Sequence, residues 1–253
     1  MTGQAILSVE RIGKAFGGLR VLTDVSFQVH EGETVGLIGP NGAGKTTLFN
    51  IVTGFLAPDR GTVGFAGIDI RRQKPNQRAR DGLVRTFQKS LVFPELSVRE
   101  NIALAARARA GTGYCWRSAT QAIGDANDRA DALLFRAQLS GRGNDKVSRL
   151  SYGDQRIVDI LIAMAMAPKL LLLDEPTAGL AKAEGEHLIE LVRGHDHRTA
   201  LLLIAHDLDL VFSACDRVGV LDLGRLVALD APAAIRANPE ARAAYLGALA
   251  EAS

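Results

Sequence analysis

A chain of 253 residues with 47% hydrophobic and 23% charged residues has the length and balance of a globular protein with a sizeable core. Its formal net charge of +2 gives the chain as a whole no electrostatic call on nucleic acid or on an acidic membrane surface. The two cysteines, Cys115 and Cys215, are far apart and in no metal-ligand spacing, which argues against disulfide frameworks and zinc modules and for free thiols in a reducing compartment.

The opening "MTGQAILSVE" lacks the basic and apolar regions of a signal peptide, so a cytoplasmic protein is expected. Short alternating runs, "AILSVE", "GKAF" and "VSFQVH", predict an antiparallel β portion at the start of the chain. "ETVGLIG" at 33–39 reads as a buried strand and "GKTTLFNIVTG" at 44–54 as a helix ended by glycine. "RGTVGFAG" and "LVRTFQ" at 83–88 read as further strands. Between them, "RRQKPNQRAR" at 71–80 has no interleaved aromatics, so it reads as a solvated helix face and not as a nucleic-acid patch. Ser97, with Glu100 three residues on, forms a capping box that opens a helix through "NIALAARARA". The stretch 97–167 reads as mostly helical, with "GTGYCWRS" as a loop inside it. The most apolar segment, "IVDILIAMAMAPKLLLL" at 157–173, carries Asp159 and is broken by Pro168 and Lys169. A spanning helix needs about 20 mostly apolar residues, so this segment reads as a buried helix followed by a buried strand. Strands return at "LLLLD" (170–174), "TALLLIA" (199–205) and "RVGVLDLGRLVAL" (217–229, a hairpin), with helices between them. A last helix is expected around "PEARAAYLGALA". This alternation on both sides of a helical insertion predicts an α/β fold with a parallel sheet, an antiparallel β flank and a helical subdomain.

"GPNGAGKTT" at 39–47 matches G-x-x-x-x-G-K-[ST] between a strand and a helix, where the mechanism of a phosphate loop needs it. Gly39, Gly42 and Gly44 let the backbone turn so that successive N–H groups converge on phosphate oxygens, and the helix N-terminus adds its positive end. Lys45 would reach the β- and γ-phosphates and the Thr46 hydroxyl would bind Mg²⁺. Pro40, Asn41, Ala43 and Thr47 complete the expected ATP-binding loop. A glycine-rich turn with a chance lysine is the competing reading, and the flanking strand and helix weigh against it. In "LLLLDEP", four leucines form a strand buried on both faces and ending in two acids, where α/β sheets place their ligands. Asp174 would hold the Mg²⁺ shell, and Glu175 would act as general base on the attacking water. Alone, such a pair is a solvated strand end; after a phosphate loop it is a candidate catalytic pair.

"LSYGDQR" at 150–156 adds a third motif just before the acidic strand. Together the three resemble the ATP-binding-cassette (ABC) ATPases, whose signature usually reads leucine-serine-glycine-glycine-glutamine, and the resemblance covers essentially the whole chain. It implies one P-loop ATPase domain over 1–253, with 1–88 and 168–253 as the nucleotide-binding core and 89–167 as a mostly helical part carrying the signature. It also implies a role for Gln88 in "RTFQ" at Mg²⁺ and the γ-phosphate side, and for His206 in "LLIAHD" as the histidine that contacts the γ-phosphate. Phe16 in "KAFGG" matches the aromatic that stacks on adenine; a phenylalanine of the β core would look the same. Ser151 and Gly153 are expected to touch the ATP of a second ATPase subunit, so that a dimer sandwiches two nucleotides. The sequence departs from the pattern at Tyr152, where glycine is usual, at Asp154, where glutamine is usual, and at Ala181, where most members have aspartate.

The tyrosine of "LSYGDQR", "FGGLRVLTDVSF", "VRTFQKSLVFPELSVRENIALA" and the ending "AYLG" resemble, more narrowly, the longer ATPase subunits of bacterial branched-chain amino-acid importers. That implies transmembrane permease subunits as partners, a periplasmic solute-binding protein acting indirectly, and a peripheral position on the cytoplasmic face of the inner membrane. Urea or amide import, lipid export and a soluble nucleotide-gated cassette are the alternative readings.

Overall fold

The computed structural model describes residues 5–86, 92–110 and 116–251. The chain begins with β1 (Ala5–Phe16) and β2 (Leu19–His30), an antiparallel pair turned at Gly17–Gly18. Along β2 the apolar residues Val25, Phe27 and Val29 point inward at every second position, as a strand with one covered face requires. β3 (Thr34–Ile38) is buried throughout and leads through the glycine loop into α1 (Lys45–Thr53), which stops at Gly54 in the left-handed region, φ 84°. β4 (Arg60–Phe65) and β5 (Ile68–Asp69) complete an antiparallel flank sheet in the order β2-β1-β4-β5.

α2 (Pro75–Asp81) leads to β6 (Leu83–Arg85), and α3 (Val98–Ala110), α4 (Trp116–Arg136) and α5 (Tyr152–Ala165) follow. The chain then runs through β7 (Leu170–Asp174), α6 (Lys182–Arg193), β8 (Ala200–Ile204), α7 (Leu208–Ala214), β9 (Arg217–Asp222), β10 (Arg225–Asp230), α8 (Pro232–Ala237) and α9 (Pro239–Glu251). The central sheet has the order β10-β9-β3-β8-β7-β6 and is parallel except for the β9–β10 hairpin. Register places Leu37 and Asp174 both opposite Ile204, so the carboxyl ends of β3, β7 and β8 open on one edge.

The central sheet divides two apolar cores. Leu170, Leu172, Leu202 and Ile204 pack toward the flank sheet and Phe49 of α1, whereas Leu171, Leu173, Leu201 and Leu203 pack toward the helices. Both faces being covered is why "LLLLD" and "ALLLI" carry no polar alternation.

The capping box forms as read: Glu100 Oε2 accepts from the Ser97 amide at 2.7 Å, and Ser97 Oγ accepts from the Glu100 amide at 3.2 Å. Three expectations need correction or limits. Trp116 to Ser118 open α4 and do not belong to a loop, while the preceding "GTGYC" lies outside the described residues. The strand read at 83–88 is assigned only as far as Arg85, and Phe87 and Gln88 lie outside the described residues. The basic run is not uniformly solvated, because Arg78 is buried. Its guanidinium donates to the carbonyls of Ile51 (2.8 Å), Val52 (2.7 Å) and Ile70 (2.7 Å). Burial pushes its pKa down to about 10. The last carbonyls of α1 lack the next helical turn as partner; the Gly54 amide reaches Ile51 O at 3.2 Å, and Arg78 supplies further donors.

Candidate functional site

β3 delivers the chain to Gly39 at the open sheet edge, and the loop that follows leaves no room for side chains at two of its glycines. A Cβ on Gly39, at φ 147°, would lie 1.9 Å from the carbonyl oxygen of Leu221; one on Gly44, at φ 102°, would lie 2.7 Å from Leu22 Cδ2. The β9–β10 turn buttresses the loop from behind. Gly224 donates its amide to Ala43 O at 3.1 Å and accepts from the Thr23 amide at 2.8 Å, which ties the loop to both sheets. No side chain caps the start of α1 at Gly44, so the first-turn amides stay available to an anion.

Lys45 is buried and folds back over the loop, donating to Gly39 O at 2.6 Å and Pro40 O at 2.9 Å. Desolvation lowers its pKa from the usual lysine value, against the opposing pull of Glu175 and Asp174. A cleft of about 340 Å³ opens above, lined by Asn41, Gly42, Thr46, Thr47, Glu175 and His206, with Leu19 and Val21 of β2 as an apolar wall. A roomier hollow of about 560 Å³ lies at the amino ends of β7 and β8, lined by Lys169, His195 and Thr199 among others. Size favours the second, but the loop amides, Lys45 and the acids converge on the first, and convergence of chemical groups marks a site better than volume.

Asp174 closes β7 and is nearly buried, its Oδ2 accepting from Arg85 Nη2 at 2.6 Å. Arg85 also donates through Nη1 to Asn50 Oδ1 of α1 at 2.6 Å. Glu175 takes a left-handed conformation, φ 49°, while its amide still donates to Ile204 O at 2.8 Å. That turn sets its Oε1 2.8 Å from Nε2 of His206, the second residue after β8. The structure thus brings together two residues that the sequence offered separately. Arg156, buried on α5, donates to the carbonyls of Glu175 (3.0 Å) and Pro176 (3.2 Å) and so fixes the backbone that carries the acid.

Sequence reasoning missed Arg85, Asn50 and Arg156 as parts of this assembly. The signal for two of them was present, since Arg85 stands in "RTFQ" and Arg156 ends "LSYGDQR".

The signature residues lie elsewhere. Neither Ser151 nor Gly153 lines the cleft. Ser151 is exposed at the N-cap of α5, its Oγ accepting from the Asp154 amide at 3.1 Å. Asp154 Oδ2 accepts from Arg142 at 2.5 Å. The Tyr152 hydroxyl donates to Ala178 O at 3.1 Å, and its ring covers Gly179. Ala181 is the N-cap residue of α6, with Glu184 Oε2 accepting from its amide at 2.9 Å. Phe16 is half exposed, with Lys14 Nζ 5.6 Å from its ring centre, so it is not a core phenylalanine; it is also not among the residues lining the cleft.

Among the described residues no cluster of three His, Cys, Asp or Glu side chains forms a metal centre of its own. The oxygen donors at hand, the exposed Thr46 hydroxyl and the Asp174 carboxylate, suit a hard cation such as Mg²⁺, which commonly completes its shell with water and substrate phosphates.

Comparison with known proteins agrees with this geometry. The family model described as ABC transporter matches residues 22–178. Over 252 aligned residues the chain is 41% identical to the high-affinity branched-chain amino acid transport ATP-binding protein LivG of Escherichia coli (strain K12), covering 96% of this chain and 98% of that protein. It is 36% identical to the corresponding BraF of Pseudomonas aeruginosa, with the same coverage. Among solved structures, an ATP-binding cassette of an ABC transporter in its ADP conformation superposes with a TM-score of 0.83 at 30% identity, over 96% of this chain and 99% of that one.

Proposed function

This chain belongs to the ABC transporter family as an ATPase subunit, and from that premise we propose that it powers import of branched-chain amino acids. The observation that carries the substrate class is end-to-end similarity, at 41% identity, to a protein that bears that transport function in its name. The ATPase roles rest on geometry. The loop 39–47 and Lys45 receive the phosphates, and Glu175 takes the proton of the attacking water at its carboxylate, oriented by His206 at 2.8 Å. Thr46 and Asp174, with Gln88, would hold Mg²⁺, which supplies positive charge to the phosphate oxygens when bound. Phe16 would meet the adenine.

The loop amides and Lys45 approach the γ-phosphate from one side, and charge spreads over all its oxygens in the transition state, so donors are needed on its far face. Ser151 and Gly153 of a second ATPase subunit would provide them, making the working unit a dimer around two ATPs. Among the described residues no helix is long and apolar enough to cross a membrane; in this reading transmembrane permease subunits supply the path for the solute. An apolar groove of about 330 Å³ beside Phe55, Ala79 and Val84 borders β6 and, in this reading, offers a seat for them. The complex would sit on the cytoplasmic face of the inner membrane and take solute from a periplasmic binding protein.

Deleting the gene and measuring uptake of labelled leucine, isoleucine and valine tests the proposal. Loss of high-affinity uptake is expected. Normal uptake of all three, with loss of urea, an amide or a lipid flux, would end the substrate claim and leave the ATPase standing.

A further inference from the structure

Arg85 joins three elements at the back of the nucleotide site. From the last residue of β6 its guanidinium reaches Asp174 Oδ2 on β7 and Asn50 Oδ1 on α1, each at 2.6 Å. The same group lies 5.6 Å from the centre of the Phe49 ring. The side chains of Arg85 and Asp174 are only 6% and 11% exposed, so solvent screens this pair weakly. A planar fork can hold two acceptors in fixed directions at once, which a lysine ammonium on a flexible stem cannot reproduce.

We propose that Arg85 is a positioning residue of the nucleotide site, the standing counter-charge of Asp174, and that it sets how far nucleotide binding depends on a divalent cation. The proposal rests on the reading of Asp174 as the metal-holding carboxylate. Before a cation arrives, Arg85 pairs with Asp174, and Lys45 lies within electrostatic reach of both acids. Arg85 also holds Asp174 to the helix that begins at Lys45, because Asn50 lies on that helix. Without Arg85 the site carries one more negative charge beside an incoming triphosphate, and Lys45 is drawn toward the unneutralised Asp174. Binding of cation-free ATP is then disfavoured. Binding of the Mg²⁺ complex suffers less, because the added charge attracts the cation that comes with it.

The test measures the affinity of a fluorescent ATP analogue for the purified chain, in EDTA and in excess Mg²⁺. For Arg85→Gln, cation-free affinity should fall about tenfold and Mg²⁺-complex affinity no more than about threefold, so the Mg²⁺ enhancement grows. Arg85→Lys, which keeps the charge, should return the enhancement to within about threefold of the wild type. A purely structural role would weaken both conditions alike, and equal losses overturn the proposal. If Arg85→Gln fails to fold, the double variant Arg85→Gln/Asp174→Asn decides. It removes both charges and should recover a cooperative thermal melt, since an unpaired buried charge is the defect. A double variant that also fails to fold overturns the proposal. An Mg²⁺ effect in the wild type that survives Asp174→Asn unchanged contradicts the metal-holding reading itself, and the proposal falls with it.

Discussion

The loop at 39–45 and the turn at 150–154 both lead into the N-terminus of a helix, yet they treat its amides in opposite ways. At α1 no side chain caps the helix; Gly44 leaves the amides open, and Lys45 lies folded over the loop with both acids within electrostatic reach. At α5 Ser151 accepts from the Asp154 amide, and the turn is exposed. That hydroxyl, already an acceptor, still has its own hydrogen to donate. The first region is equipped to receive phosphate from within one chain. The second has donors but does not line the cleft, and the Arg142 guanidinium beside it is paired with Asp154; under the proposed dimer the turn would face a phosphate held by another subunit.

The comparison breaks most severely at the acid. Glu175→Gln should lower steady-state hydrolysis by about 10²-fold or more and leave ATP binding nearly intact. Phosphate release and nucleotide binding measured on one preparation check both halves; unchanged turnover removes Glu175 from the mechanism. Next come the two glycines. Gly44→Ala puts a Cβ 2.7 Å from Leu22 Cδ2 at a positive φ, whereas the tightest contact of Gly153→Ala is the end of the Glu184 side chain at 3.2 Å. The first should destabilise the fold by about 2–4 kcal/mol and impair nucleotide binding. The second should melt like the wild type and bind nucleotide normally as a monomer. Equal effects in a thermal melt would erase the distinction between the regions. The smallest effect is expected at Tyr152→Phe, which loses the donor to Ala178 O. It should cost about 0.5–1.5 kcal/mol in a denaturant titration.

Much of the nucleotide side was legible because its chemistry needs adjacent residues: a glycine loop with lysine and threonine, and two acids after a leucine strand. The leucine strands themselves were legible because a sheet covered on both faces leaves an unbroken apolar run. Three arginines escaped for a common reason. Arg78, Arg85 and Arg156 each find acceptors far away in sequence, on α1, on β7 and after β7. A charge run predicts solvent exposure only while nothing distant needs its donors. Arg78 lies in a basic stretch and is nonetheless a buried cap. The pairing of Glu175 with His206 was hidden likewise, since it depends on β7 and β8 being neighbours. The tie from Tyr152 to Ala178 links the signature to the loop that ends at Ala181. The sequence marked Tyr152 and Ala181 as departures from a pattern, and Tyr152 as a subfamily likeness, but not the contact between the two segments.

The claim that the signature turn is half of a site is tested most directly by mixing two inactive proteins, Lys45→Ala and Gly153→Asp, in the assembled transporter and counting tightly held nucleotide. If the signature acts across a dimer interface, a mixed dimer carries both lesions at one site and none at the other, and one occluded nucleotide per dimer should return. If the signature serves its own subunit, every site in the mixture carries a lesion, and no occlusion in confirmed mixed dimers would contradict the account.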